Sequence, residues 1–379
     1  MTGGTKIMKK TIYFILFFMA ILTLAVVVPN ISSAATFVTD ESTLRSTIES
    51  ADYGATITLQ NDITVTQPIV IAKELTIDGN GHTITGSSDW TSTSGNQTMF
   101  TAQFSDAKLT LKNIKLVNGP KYGVQSYDGA TVILDDVSIT GFRYGGVLAN
   151  GGNVEVKNLH LGYNGTGANN GIEIDKGAAA TNNPTLTMNG VLTSESTENV
   201  VRAAENGHLT EFTVTNTENT TNKVLIAGDK VVLTDENNNV ISETEVPDNA
   251  TANADEQNVV ITLIANGETN KIVVKEGETI TEEFLKSHIK LTEDYTVEGF
   301  YTDENYTISF DFSKAIDTDT TIYAKTAKVE DEEPTPVVPE PEKDETPKTG
   351  VENYLGIAVS VAILSTVAII FTKKKEVKE

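Results

Sequence analysis

The stretch "GIEIDKG" places Glu173 and Asp175 two residues apart, so an extended strand would present both on one side. Two carboxylates at a set separation are what glycoside hydrolysis requires: one protonates the leaving oxygen, the other acts as base or nucleophile. Asp128 and Arg143 complete the candidates. The arginine, in "GFRYGG", could hold a uronate carboxylate through two parallel hydrogen bonds. Plainer roles stand beside these. Glu173 can pair with Arg202, Asp175 and Arg143 can face water, and Asp128 lies near Asp135 and Asp136 in a turn region. His82, His160, His208 and His288 are scattered without metal-ligand spacing, and there is no cysteine. Disulfides and Cys-ligated metal or haem are excluded, and no cofactor or metal site is expected. Tyr122, Tyr127, Phe142, Tyr144 and Tyr163 cluster near the turns between strands, where they could stack on sugar rings or pack on neighbouring turns.

Such side chains need a scaffold, and internal repeats supply one. Four segments align, starting at Ala107, Ala130, Gly152 and Pro184, with a period of about 22 residues. Leu109, Val132, Val154 and Leu186 form one apolar column, and Leu111, Leu134, Val156 and Met188 a second. Ile114, Val137, Leu159 and Val191 form a third, and Val124, Val147, Ile172 and Val201 a fourth. Each repeat alternates apolar and polar residues with period two, and none carries a helical pattern. A single turn cannot bury its apolar face, so successive turns must stack. The regular leucine frame of a leucine-rich repeat is absent, and a right-handed parallel β-helix fits better. Asn113, Asp136, Asn158 and then Gly190 share one turn position, where Asn and Asp tolerate unusual backbone and could bond each other along the stack. Ahead of the coils, "DESTLRSTIESA" predicts a short amphipathic helix, with Asp40 or Ser42 as N-cap and Leu44, Ile48 and Ala51 on one face. It would cover the first open strand edge.

This capping helix, "ATITLQNDITV", "KELTIDGNGHTITG" and the coils together resemble the pectin-lyase-like β-helix superfamily, over about Thr36 to Lys223. The resemblance implies the fold. Its lyases gather Ca²⁺-binding carboxylates on one outward face beside a basic proton acceptor, whereas other members only present a surface. The outward columns here gather none: Thr110, Ile133, Glu155 and Thr187 make one, and Lys115, Ser138, His160 and Leu192 another. Lys112, Asp135 and Lys157 alternate in sign, as an exposed stacking ladder does. Gln125, Leu148, Glu173 and Arg202 make the column beside Val124.

From Asn258 the pattern changes. Two alternating strands flank Asn266-Gly267, a helical stretch runs from about Thr281 to His288, and further strands follow. "GFYTD" from Gly299, "FDFSKAI" and "TTIYAK" resemble the small β-grasp-like repeat of Listeria and Bacteroides surface proteins, as in the internalin B-repeat. Phe300 stands where that family has tryptophan. The resemblance implies a stalk or weak binding module without catalytic residues.

Both termini read as processing signals. Lys6, Lys9 and Lys10, an apolar run, and small residues before Ala35 make a secretory signal peptide cleaved after Ala35; an N-terminal membrane anchor is the alternative. At the other end an uncharged run over 354–371 precedes Lys373, Lys374 and Lys375. With Thr346, Pro347, Lys348, Thr349 and Gly350 ahead of it, the whole resembles a Gram-positive sortase sorting signal, although Thr346 replaces the usual leucine. That resemblance implies cleavage between Thr349 and Gly350, a transient sortase partner, and covalent attachment of Thr349 to peptidoglycan. A plain membrane anchor is the alternative. Proline and acidic residues upstream suit an extended wall-crossing spacer.

The organisation is then signal peptide 1–35, β-helix 36–225, junction with the last strands 226–257, small module 258–328, linker 329–345 and sorting signal 346–379. A formal net charge of −24 argues against nucleic acid. The expected protein is mainly β, displayed at the surface of a Gram-positive cell, and binds a glycan or protein without catalysis. The alternative is an anchored polysaccharide lyase or glycosidase built on Glu173, Asp175, Asp128 or Arg143.

Overall fold

The computed structural model describes residues 36–165, 170–292 and 294–329. The signal peptide, the linker beyond residue 329, and the sorting signal with its apolar run lie outside them. Among the described residues no helix is long and apolar enough to cross a membrane.

Two parallel sheets wind round one core. The first runs through Thr36–Val38, Ala55–Leu59, Glu74–Asp78, Lys108–Gly119, Thr131–Phe142, Asn153–Leu161, Thr185–Ser194, Glu211–Asn216 and Thr251–Ala254. The second runs through Ile69–Ile71, Phe100–Gln103, Tyr122–Tyr127, Gly145–Asn150, Ile172–Asp175 and Val201–Ala203. Successive rungs pair in parallel, and the chain alternates between the sheets, so the architecture is a parallel β-helix. The helix Glu41–Ser50 closes its first end, with Leu44 and Ile48 buried. Asp40 is the N-cap; its carboxylate accepts from the Thr43 amide at 2.8 Å. Arg45 fastens the cap to the first coil, donating to the carbonyls of Pro68 at 2.9 Å and Gln67 at 2.7 Å.

Three apolar columns stack as the repeats require. Val132 pairs with Leu109 and Val154, Leu134 with Leu111 and Val156, and Val147 with Val124 and Ile172. The third column slips in its last repeat, where Leu159 pairs with Leu192 and not Val191. Leu192 is therefore core, and Thr193 takes its place in the outward column beside His160. The cause lies at Gly190, where a Cβ would overlap the Lys157 carbonyl oxygen, so only glycine lets the chain carry the extra residue past that point.

The turn column also needs correction. Asn113 and Asp136 adopt left-handed backbone, with φ of 46° and 60°, but Asn158 and Gly190 do not. Asp135 pairs with Asn158, leaving Lys157 out of the sign-alternating ladder. None of the three turn side chains bonds another among the described residues.

The β-helix continues beyond residue 225. Its last parallel rung is Thr251–Ala254, laid on Glu211–Asn216. Ahead of that rung, Val224–Ala227, Lys230–Thr234 and Val240–Glu245 form an antiparallel meander. Val224, Ile226, Val231 and Leu233 of this meander complete the coil core at its far end. The same strands belong to one seven-stranded sheet with Asn258–Ala265, Glu268–Lys275, Tyr295–Tyr301 and Thr320–Lys328. Asn266 and Gly267, at φ of 55° and 80°, turn the hairpin within it. The helix Glu282–Ser287 buries Leu285 against this sheet, and Phe300 is buried with its ring edge-on to Phe312 at 5.8 Å.

Candidate functional site

The outer face of the second sheet carries three of the buried polar side chains, Thr101, Gln125 and Glu173. Val70, Thr101, Gln125, Leu148, Glu173 and Arg202 lie in one outward column, each paired with the next. Gln103, Tyr127, Asn150 and Asp175 make the parallel column two residues on. Alternation along each strand puts both columns outward, because the intervening Ala102, Ser126, Ala149 and Ile174 face the core.

Glu173 is only 6 % exposed. A carboxylate so placed must be paired and hydrogen-bonded, and both oxygens are engaged. One lies 3.1 Å from an Arg202 guanidinium nitrogen, and the other accepts the Tyr122 hydroxyl at 2.7 Å. Burial, reinforced by Glu173, pushes the Tyr122 phenol above its ordinary range, so it stays a proton donor. Tyr122 stacks on Tyr144 at 6.1 Å, and the Lys121 ammonium sits 5.9 Å from the Tyr144 ring centre.

Asp175 shares this side of the strand but does not simply face water. Burial raises its carboxyl above the ordinary range, with Glu173 adding to the effect. It accepts from the Lys176 amide at 2.6 Å and from the Asn206 side chain.

The other candidates lie elsewhere. Asp128 sits at the corner beyond Tyr127, with φ of 47°. One of its oxygens accepts the Thr181 amide at 2.7 Å, the Thr181 hydroxyl at 3.0 Å, and the backbone and side-chain nitrogens of Asn182 at 3.0 Å each. These donors, Asn182 and Thr181 backbone first, hold its carboxyl down at about 2. Its role is to clamp the insertion that precedes Pro184. Arg143 is exposed on the turn before Gly145–Asn150, at the strand end opposite Asp128, and among the described residues its guanidinium makes no hydrogen bond or ion pair. The four candidates therefore do not converge; only Glu173 and Asp175 share a face.

Asp128→Asn should lower stability by about 1 kcal/mol at neutral pH. The sign follows from the depressed carboxyl. Its contribution is complete above the ordinary 3.8 and vanishes as pH falls through about 2, so the gap between variant and wild type should close over that window. Urea unfolding at stepped pH measures it, and a gap that persists at pH 2 contradicts the clamp.

Among the described residues no three His, Asp or Glu side chains are grouped so as to hold a metal ion. His82 meets Asp62 at 3.2 Å, and His160 meets Thr193 at 3.0 Å, both on the first sheet. The residue that sequence reasoning missed is Tyr122 as partner of Glu173. It lies 51 positions away, and the tyrosine clustering was its only signal.

Residues 35–166, about a third of the chain, match the family model of a pectate lyase-like adhesive domain. The match spans the capping helix and the coils up to Asn153–Leu161, and stops short of Glu173 and Asp175. No curated protein matches the chain.

Proposed function

We propose that this chain is an adhesin of a Gram-positive cell surface, anchored through Thr349 to peptidoglycan and displaying its β-helix to a glycan or protein ligand. One observation carries the non-catalytic reading: Glu173 is bound by Arg202 and Tyr122. A carboxylate held in an ion pair and a second hydrogen bond is a poor base and a poor nucleophile. The match to an adhesive domain supports the same reading.

A second reading has one observation in its favour. Asp175, with a carboxyl raised by burial and standing beside the Arg202-paired Glu173, has the pattern of two carboxyl groups whose environments differ. A panel of acidic polysaccharides, followed by absorbance of unsaturated uronates and by reducing ends, separates the two. No turnover is expected. Turnover lost in both Glu173→Gln and Asp175→Asn would replace the adhesin with a lyase or glycosidase.

Anchoring is tested separately. Deleting residues 346–350 should move the protein from the muramidase-released wall fraction to the detergent-released membrane fraction. Wild-type protein found in the membrane fraction with its lysine tail intact would refute attachment at Thr349.

A further inference from the structure

Next to the Glu173 cluster, on the same outer face, lies a cleft of about 350 Å³. Gly95, Asn96 and Thr98 form one wall, and the two outward columns form the floor. Two hydrogen bonds hold the wall in place. Lys121 donates to the Gly95 carbonyl at 2.7 Å, and the Asn96 amide donates to the Thr101 hydroxyl at 3.0 Å.

We propose that this cleft binds an uncharged oligosaccharide, which deepens the adhesin reading and rests on it. The carrying observation is Gln125. It is 9 % exposed, and its carbonyl oxygen accepts from Thr98 at 3.4 Å. Among the described residues its amide nitrogen has no hydrogen-bond acceptor, and Gln125 lines the cleft. An amide donor at a cleft surface without a protein acceptor is available to an acceptor on a ligand.

The neighbouring column adds three more uncommitted groups. Gln103, Tyr127 and Asn150 line the cleft, and among the described residues the Gln103 amide, the Tyr127 hydroxyl and the Asn150 amide nitrogen have no hydrogen-bond partner. Asn150 uses only its oxygen, on the Gly177 amide at 2.7 Å. Because they belong to successive rungs, these heads repeat at the strand spacing of about 4.8 Å. A pyranose ring presents hydroxyls over a comparable span. Between them Leu148, 7 % exposed, offers an apolar floor for the C–H face of a ring.

Charge selects within the saccharides. Among the described residues that line the cleft Lys121 is the one cation, and it donates to the Gly95 carbonyl and lies over Tyr144. Arg202 belongs to Glu173. A uronate carboxylate would meet the single, partly engaged cation Lys121 and, on the same sheet face, the carboxylates of Glu173 and Asp175. An extended peptide gains no backbone pairing here, since the strands under the cleft are paired on both sides.

Titration calorimetry on the full chain tests this with β-linked tetrasaccharides of glucose, xylose, mannose and N-acetylglucosamine, and with tetragalacturonate with and without calcium. At least one uncharged probe should bind, and tetragalacturonate should not. Gln125→Leu and Tyr127→Ala should each weaken that binding by about tenfold or more. Tyr127 is only partly buried, so its variant reports on the cleft even if Gln125→Leu misfolds. Absence of binding by all four uncharged probes, binding of tetragalacturonate alone, or wild-type affinity in Tyr127→Ala would overturn the proposal. Cells displaying both substitutions that still adhere, while cells lacking the chain do not, would overturn the cleft and leave the adhesin. Cells lacking the chain that adhere normally would remove the adhesin reading itself.

Discussion

Leu134→Asp should abolish folding, and Leu134→Ala should cost about 2–5 kcal/mol, the range of buried leucine truncations. Leu134 is fully buried and stacked between Leu111 and Val156. A coil cannot collapse into a cavity by moving alone, because hydrogen bonds on both sides fix its distance from its neighbours. Most of the void left by alanine should therefore persist. Aspartate in the same place has no partner within reach, and its desolvation falls on the interface of two coils at once. Urea unfolding measures the alanine variant, and thermal circular dichroism the aspartate. A cooperative wild-type melt for Leu134→Asp would mean that the apolar column faces outward.

Arg202→Leu should destabilise the protein by about 2–4 kcal/mol, and by more than Glu173→Gln. Both substitutions break the same ion pair, but only the first leaves a nearly buried carboxylate without its cation. The estimate sits below that for a fully buried pair because the Arg202 side chain is 32 % exposed. A further offset comes from its Nε, which is buried without a hydrogen-bond partner and disappears with the arginine. Glu173→Gln keeps an acceptor for Tyr122 and should cost less. The double variant should recover part of the Arg202→Leu loss, and a double-mutant cycle by urea unfolding gives the coupling. Equal losses in the two single variants would show that Glu173 is not held as an anion by Arg202.

The architecture was legible wherever the repeats were regular. Leu109, Val132 and Val154 could be aligned by eye, because a period of two along the strand and a fixed coil length leave one register. The same regularity put Glu173 and Arg202 in one outward column, so their pairing was foreseeable. Register failed at Gly190, where an added residue is absorbed by backbone contact that no side-chain pattern records. The clamp at Asp128 was not legible for a similar reason. Its donors, Thr181 and Asn182, come from an insertion whose path over the corner follows from no repeat. The last strands lie in the stretch 226–257 where the sequence put them, but the antiparallel meander that precedes Thr251–Ala254 has no counterpart in the repeats.

The seven-stranded sheet has a mechanical consequence. On a cell that holds the chain by its C-terminal end, traction enters through Thr320–Lys328. Its residues 320–324 pair in parallel with 261–265, and its residues 323–328 pair in antiparallel fashion with Tyr295–Tyr301. The load must leave through the other end of the parallel partner, at Asn258, where the chain runs back into the last coil. Opposed pulls at opposite ends of two parallel strands strain their hydrogen bonds together, in shear, and do not peel them one after another. The meander joined to the same sheet spreads that tension across the end of the coil stack, so a tethered head resists being uncoiled from its anchored side.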